Sequence, residues 1–316
     1  MKRGSFGLSP REISVLISVR GGERPRKSIA LDLSVSPPEL TRLVKSLESK
    51  GLVAVRRHGM SRSVSLSDQK HASQLRRLLD EFGHMSLERI LSLASLEVLS
   101  CLAARPGSTR DEIVSSSGVS ERTLQTVLKR LRELGIVRIS TNGTYAISER
   151  FVLIADFVRD LDDYSNQRMA MEFSADSVVV WQRSKDFIVR TSCKRETARF
   201  RKTAFSAFES WGVPLFLDRN YYYHTPGSWR RTLDGVFLQS LLIRPRNVRE
   251  NMAILMLWER NALWRKLDRL QERARALGVD DELETIVAYF KDPEKNRGPG
   301  FPRIGELKER LGREPP

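Results

Sequence analysis

The feature that most constrains this chain is an internal repeat. Residues 34–53, SVSPPELTRLVKSLESKGLV, align without gaps with residues 118–137, GVSERTLQTVLKRLRELGIV, at an offset of 84. Val35-Ser36 meets Val119-Ser120, and Leu40, Leu43, Val44 and Leu47 meet Leu124, Val127, Leu128 and Leu131. The i, i+3, i+4, i+7 spacing puts those four residues on one face of a helix in each copy. Ser36, with Glu39 three residues later and Pro37 in the first turn, reads as a capping box. Ser120 is an N-cap without that glutamate, since Thr123 stands in its place. Gly51 and Gly135 supply the positive φ that ends a helix.

The neighbourhood of the repeat is also duplicated. Pro10–Val19 and Lys27–Leu33 read as helices before the first copy, and Leu93–Ala103 and Ser108–Ser116 before the second. A β-type pair follows each. The first is Leu52–Arg57 and Arg62–Leu66 around His58-Gly59-Met60-Ser61. The second is Ile136–Ser140 and Thr144–Ile147 around Thr141-Asn142-Gly143, where Asn-Gly is a strong hairpin signal. The order helix, helix, helix, hairpin thus occurs twice.

Charge sharpens the reading. The chain of 316 residues carries 54 Lys and Arg against 39 Asp and Glu, a net charge of +15. Residues 1–66 hold 13 bases and 5 acids, more than half of the excess in a fifth of the chain. Such a balance favours polyanionic partners, nucleic acid before an anionic membrane. Residues 86–150 hold 9 bases and 7 acids, so the second copy is nearly neutral. No apolar run is long enough to span a membrane, and no secretory leader is legible at the N-terminus. Two cysteines, Cys101 in an apolar helix and Cys193 beside Lys194 and Arg195, make neither a disulfide framework nor a zinc site.

The segments 30–57 (ALDLSVSPPELTRLVKSLESKGLVAVRR) and 113–140 (IVSSSGVSERTLQTVLKRLRELGIVRIS) resemble the winged helix-turn-helix superfamily, particularly regulators of the MarR and ArsR type. The resemblance covers residues 8–150. It implies two tandem winged-helix domains, each with its third helix in the DNA major groove and its hairpin as a wing on the backbone or minor groove. Carried onto this chain, the first reading helix, Ser36–Lys50, offers Ser36, Thr41, Arg42 and Lys45. Its wing offers Arg56, Arg57, His58 and Arg62, and Arg26 and Lys27 join that basic face. The second helix offers Ser120, Arg122, Thr123, Gln125, Lys129 and Arg130, and its wing Arg138 and Asn142. Arg42 or Arg122 suits guanine, and Gln125 suits adenine. The first domain is expected to supply most of the affinity. The second binds more weakly or serves dimerisation or spacing.

The expected fold class is α+β and predominantly helical, in seven segments. These are a winged helix at 1–68, a connecting helix at 69–85, a second winged helix at 86–150 and a linker or dimerisation helix at 151–171. A mixed ββαββ region at 172–229, a helical bundle at 230–290 and a loose basic tail at 291–316, with one short helix near Ile304–Arg310, follow. In the linker helix, Asp156, Asp160, Asp162 and Asp163 are expected to face out. In the mixed region, Ser177–Gln182 pairs with Phe187–Thr191, Glu196–Trp211 reads as a helix, and Val213–Leu217 pairs with Tyr221–His224. Lys194, Arg195, Arg199, Arg201 and Lys202 form a secondary basic patch for DNA backbone or an acidic partner.

No Walker loop, GxGxxG or HExxH is present, and the four histidines share no ligand spacing. The sequence therefore implies no enzyme, cofactor or metal. The layout also resembles AbiE-type antitoxins, which repress their own operon, and double winged-helix bodies occur in plasmid replication initiators. The leading expectation is a cytoplasmic, nucleoid-associated transcriptional regulator that binds double-stranded DNA as a homodimer, with a protein partner possible through residues 172–290.

Overall fold

The computed structural model describes residues 7–59, 61–227, 230–243 and 247–312. The chain divides into two compact units. One comprises the chain up to Arg168 with the turn 183–185, the other 169–182 and everything from Asp186 onward.

The first unit realises the repeat. Its elements are α1 (Pro10–Ser18), β1 (Arg24–Pro25), α2 (Arg26–Asp32), α3 (Pro37–Ser49), β2 (Val53–His58) and β3 (Ser61–Leu66). Next come α4 (Lys70–Phe82) and α5 (Leu87–Ile90). The second set is α6 (Leu93–Ala104), α7 (Arg110–Ser117), α8 (Glu121–Glu133), β4 (Val137–Ile139) and β5 (Tyr145–Ile147). The turn Met60 of the first hairpin lies outside the described residues. Strand β1 was not legible as a strand. It pairs antiparallel with β3, giving a three-stranded sheet of order β1-β3-β2. In the second copy a single bridge, Ser108 to Tyr145, stands at the corresponding place, 84 residues on from Arg24.

The stripes pack as their spacing requires. Leu40, Val44 and Leu47 of α3 and Leu124, Val127, Leu128 and Leu131 of α8 are buried, while Leu43 is half-buried. Both copies, α4 and the first part of α9 (Val152–Phe173) feed one continuous apolar cluster from Leu8 to Leu161. Gly51 and Gly135 both stand at positive φ, 69° and 71°. A Cβ on Gly51 would also meet the Tyr164 ring at 2.5 Å, whereas Gly135 faces open space.

Two expectations fail in α9. Asp160 and Asp162 are buried rather than outward. Asp160 pairs with Lys70 at 2.7 Å, and Asp162 accepts the Ser100 hydroxyl. Burial pushes the Asp162 carboxyl up to about 6, against the pull of Lys185 and the Ser100 bond. The helix turns a second polar face inward because α6 offers it a hydroxyl.

The second unit contains β6 (Val178–Arg183), β7 (Asp186–Thr191), β8 (Arg201–Lys202) and β9 (Asn220–His224) in a sheet of order β6-β7-β9-β8. The helix expected over Glu196–Trp211 is a strand at 201–202 and a 3-10 helix at Ala204–Trp211. Thr203 is fully extended and Ala204 has φ 44°, which no continuous helix tolerates. Val213–Leu217 is not a strand, and β9 pairs with β7 and β8 instead. The expected ββαββ order is therefore ββ, β, 3-10 helix, β.

Four helices follow, α10 (Leu233–Leu242), α11 (Val248–Arg260), α12 (Leu267–Leu277) and α13 (Asp280–Lys291). Their apolar faces form the second unit's main core, with Phe237, Leu257 and Tyr289 fully enclosed. The tail carries the short helix expected near Ile304–Arg310, α14 (Ile304–Arg310), which buries Leu307. Tyr289 donates its hydroxyl to Pro302 O at 3.2 Å, and Asn251 its amide to Gly300 O at 3.0 Å. The tail residues 313–316 lie outside the described residues. The fold is thus α+β, largely helical, with small antiparallel sheets. Among the described residues no helix is long and apolar enough to cross a membrane, and no cluster of metal-ligating side chains forms.

Candidate nucleic-acid interface

Helix α3 is set on α1 by a buried polar latch. Ser9 caps α1, and Glu12 returns the bond to the Ser9 N–H at 2.7 Å. The same carboxylate takes the Lys50 ammonium at 2.6 Å and the Ser46 hydroxyl at 2.7 Å. Lys50 also donates to Gly7 O at 2.8 Å. Burial pushes the Glu12 carboxyl up, but the bonds from Lys50, Ser9 and Ser46 outweigh it and hold its pKa below the usual range. A hydrogen-bonded carboxylate of this kind keeps its charge in the interior. The pattern Ser-x-x-Glu at 9–12 carried this signal, and the sequence reading passed over it.

With its apolar stripe down, α3 exposes Thr41, Arg42 and Lys45. Thr41 donates its hydroxyl back to Pro37 O at 2.9 Å. Ser36 caps as expected, accepting the Glu39 N–H at 3.3 Å. The reciprocal half of the box is missing, because the Glu39 carboxylate pairs with Arg11 instead.

The first hairpin divides its basic side chains into two groups. Glu23, which the sequence reading did not single out, holds the His58 ring at 2.7 Å and Arg56 at 3.6 Å and accepts the Ser63 hydroxyl. Arg56 and His58 are therefore engaged within the protein. Arg57 and Arg62 sit directly opposite each other across β2 and β3. Like charges at such a position repel. Arg57 donates Nε to Gly59 O at 3.0 Å. Arg26, at the start of α2, has its Nε buried without a partner. Its pKa is lowered by burial and by the charge of Arg62, against the pull of Glu48. Among the described residues none of Arg26, Lys27, Arg42, Lys45, Arg57 and Arg62 has a carboxylate partner in ion-pair contact.

The second copy presents a different surface. Ser120 caps α8, accepting the Thr123 N–H at 3.2 Å. Arg122 is exposed, but Lys129 faces Glu133 at 4.0 Å and Arg138 faces Glu149 at 3.3 Å. Arg110 pairs with Glu121 at 3.1 Å, and its guanidinium lies against the Gln125 side-chain amide. Arg130, expected to point outward, turns inward to Ser92 at 3.3 Å and to Ser95, and burial lowers its pKa. Asn142 spends its oxygen inside the hairpin turn, accepting the hydroxyls of Thr144 at 3.0 Å and Ser140.

In the second unit Lys194, Arg195, Arg199 and Arg201 are exposed and Lys202 is half-buried. They stand on the loop before β8 and on β8 itself, not on a helix. No known family model matches the chain, and no curated protein matches it.

Proposed function

We propose that the protein is a sequence-specific double-stranded DNA-binding protein, a transcriptional regulator in which each three-helix-and-hairpin module is a winged helix-turn-helix. In this reading the first module does the binding. Helix α3 enters the major groove, with Thr41, Arg42 and Lys45 toward base edges and phosphates. Arg57 and Arg62 on the wing, and Arg26 and Lys27 at the start of α2, take backbone phosphates. The observation that carries the reading is this set of six cations on adjoining elements, none of them, among the described residues, in ion-pair contact with a carboxylate. Repulsion among them is relieved by a polyanion. The second module, with most of its cations answered by its own acids and hydroxyls, supports spacing or assembly rather than affinity.

The test is a salt titration of binding to DNA upstream of the protein's own gene, against an unrelated duplex. Arg42/Arg57/Arg62→Ala is compared with Arg122/Lys129/Arg138→Ala. Three lost phosphate contacts lower the slope of log K against log salt by about 2.7 units, and the second triple lowers it by less than about 1 unit. Equal binding of the wild type to both duplexes would overturn sequence-specific reading, and no binding near physiological salt would overturn the DNA reading.

A further inference from the structure

The loop leading into β8 is tied to β9 by hydrogen bonds. Tyr222 donates its hydroxyl to Cys193 O at 2.8 Å, and Asn220 its amide to the same oxygen at 3.1 Å. His224 binds Arg199 O through Nδ1 at 3.2 Å. The Thr197 hydroxyl accepts the N–H groups of Phe200 at 3.1 Å and Arg199 at 3.3 Å. Phe200 is buried and stacks on Phe173 with ring centroids 4.2 Å apart. Both ends of the loop are thereby fastened to β9, and its basic side chains stand outside.

Those side chains are uncompensated. Glu196 is the sole acid between Asp186 and Glu209. Its carboxylate is occupied by the Lys202 backbone N–H at 2.6 Å and by Arg231 at 2.9 Å. Among the described residues none of Lys194, Arg195, Arg199, Arg201 and Lys202 is in ion-pair contact with a carboxylate. No large apolar side chain is exposed between 192 and 202. A site for an acidic protein carries aromatic or apolar anchors at its centre. A nucleic-acid backbone asks only for cations on a pre-ordered surface.

We propose that the 194–202 surface of the second unit binds backbone phosphates of duplex DNA, outside the site read by the first repeat. The proposal rests on the DNA reading above but uses none of its residues. Five phosphate contacts account for a salt slope of about 4.5 units.

In the full chain, Lys194, Arg195, Arg199, Arg201 and Lys202 are all replaced by Gln. The expected result is a slope shallower by at least about 2 units, two contacts' worth, with the preference for the upstream fragment unchanged because α3 is intact. In the wild type, Lys194 and Lys202 are acetylated with and without saturating DNA and read by mass spectrometry. Both are expected to be protected several-fold, which decides the matter even if the variant misfolds. An unchanged slope, or in a misfolded variant's stead equal acetylation, in a protein that binds DNA overturns this proposal alone and turns attention to an acidic protein partner. Equal affinity for both duplexes with a slope that still falls overturns sequence reading and leaves this proposal standing. No binding to either duplex overturns both.

Discussion

The two copies of the repeat share a backbone plan and differ in what backs it and what faces outward. Where the first copy buries the Glu12–Lys50 pair, the residues 84 positions on are Leu96, buried, and Leu134, half-buried. Where the first copy offers Ser46 to that latch, the second offers Arg130, drawn inward to Ser92 and Ser95. On the outside, the first copy leaves Arg26 of α2, Arg42 of α3 and Arg57 and Arg62 of the wing without a carboxylate in ion-pair contact among the described residues, while the second answers Lys129, Arg138 and Arg110 with Glu133, Glu149 and Glu121. The apolar stripe and the two end signals suffice to set the helix. The polar positions between them were free to specialise, one copy for an external anion and the other for its own surroundings.

The largest expected effect tests the latch. Lys50→Met leaves the Glu12 carboxylate buried without its cation, a loss of about 3–5 kcal/mol in denaturant unfolding. Replacing Glu12 and Lys50 together by Leu, in imitation of the second copy, is expected to land within about 1 kcal/mol of wild type or above it. A double variant as unstable as the single one would break the comparison.

The glycines come next. Gly51→Ala is expected to cost about 3 kcal/mol, from the left-handed backbone and the collision with Tyr164 together. Gly135→Ala bears the backbone cost alone, about 1 kcal/mol. Equal losses would mean that the Tyr164 ring yields freely.

The smallest effect is in acid, where the copies have opposite signs. Glu12 has a lowered folded pKa, so its contribution is present above the unfolded value and is lost as pH falls through the folded one. Asp162, which packs on α6 of the second copy, has a raised folded pKa of about 6. Between the unfolded value and about 6 the folded state binds the extra proton, so lowering pH from 7 to 5 adds about 1 kcal/mol. Asp162→Asn is expected to abolish that gain in thermal unfolding at the two pH values. A gain that persists in the variant would assign it to another group.

Much of the first unit was legible in the sequence. The periodic leucines, Ser36, Ser120, Gly51 and Gly135 act over one helical turn, and local signals of that range survive folding. Strand β1 was not legible, because two residues carry no period. The Glu196–Trp211 helix was misread because Phe200, Ala204, Ala207 and Phe208 have helical spacing. The chain buries all four by a strand and a 3-10 turn instead, with Ala204 at positive φ between them. In the candidate interface, composition and pattern located the basic face, but not which cations were free. Glu23 lies 33 residues before Arg56 and 35 before His58, and nothing in their spacing announces the contact.

By itself, then, the sequence determined the duplicated helix-helix-helix-hairpin order, the buried stripes, the helix ends and the asymmetry of charge. These depend on residue type and near-neighbour spacing. Only the tertiary structure decided that Glu12 and Lys50 meet in the interior, that Glu23 takes Arg56 and His58, that Arg130 turns inward, and that Arg26, Arg57 and Arg62 have no carboxylate in ion-pair contact among the described residues. Ion pairing is a matter of through-space distance within about 4 Å, where the Coulomb term competes with solvation. Chain folding alone sets that distance for residues tens of positions apart.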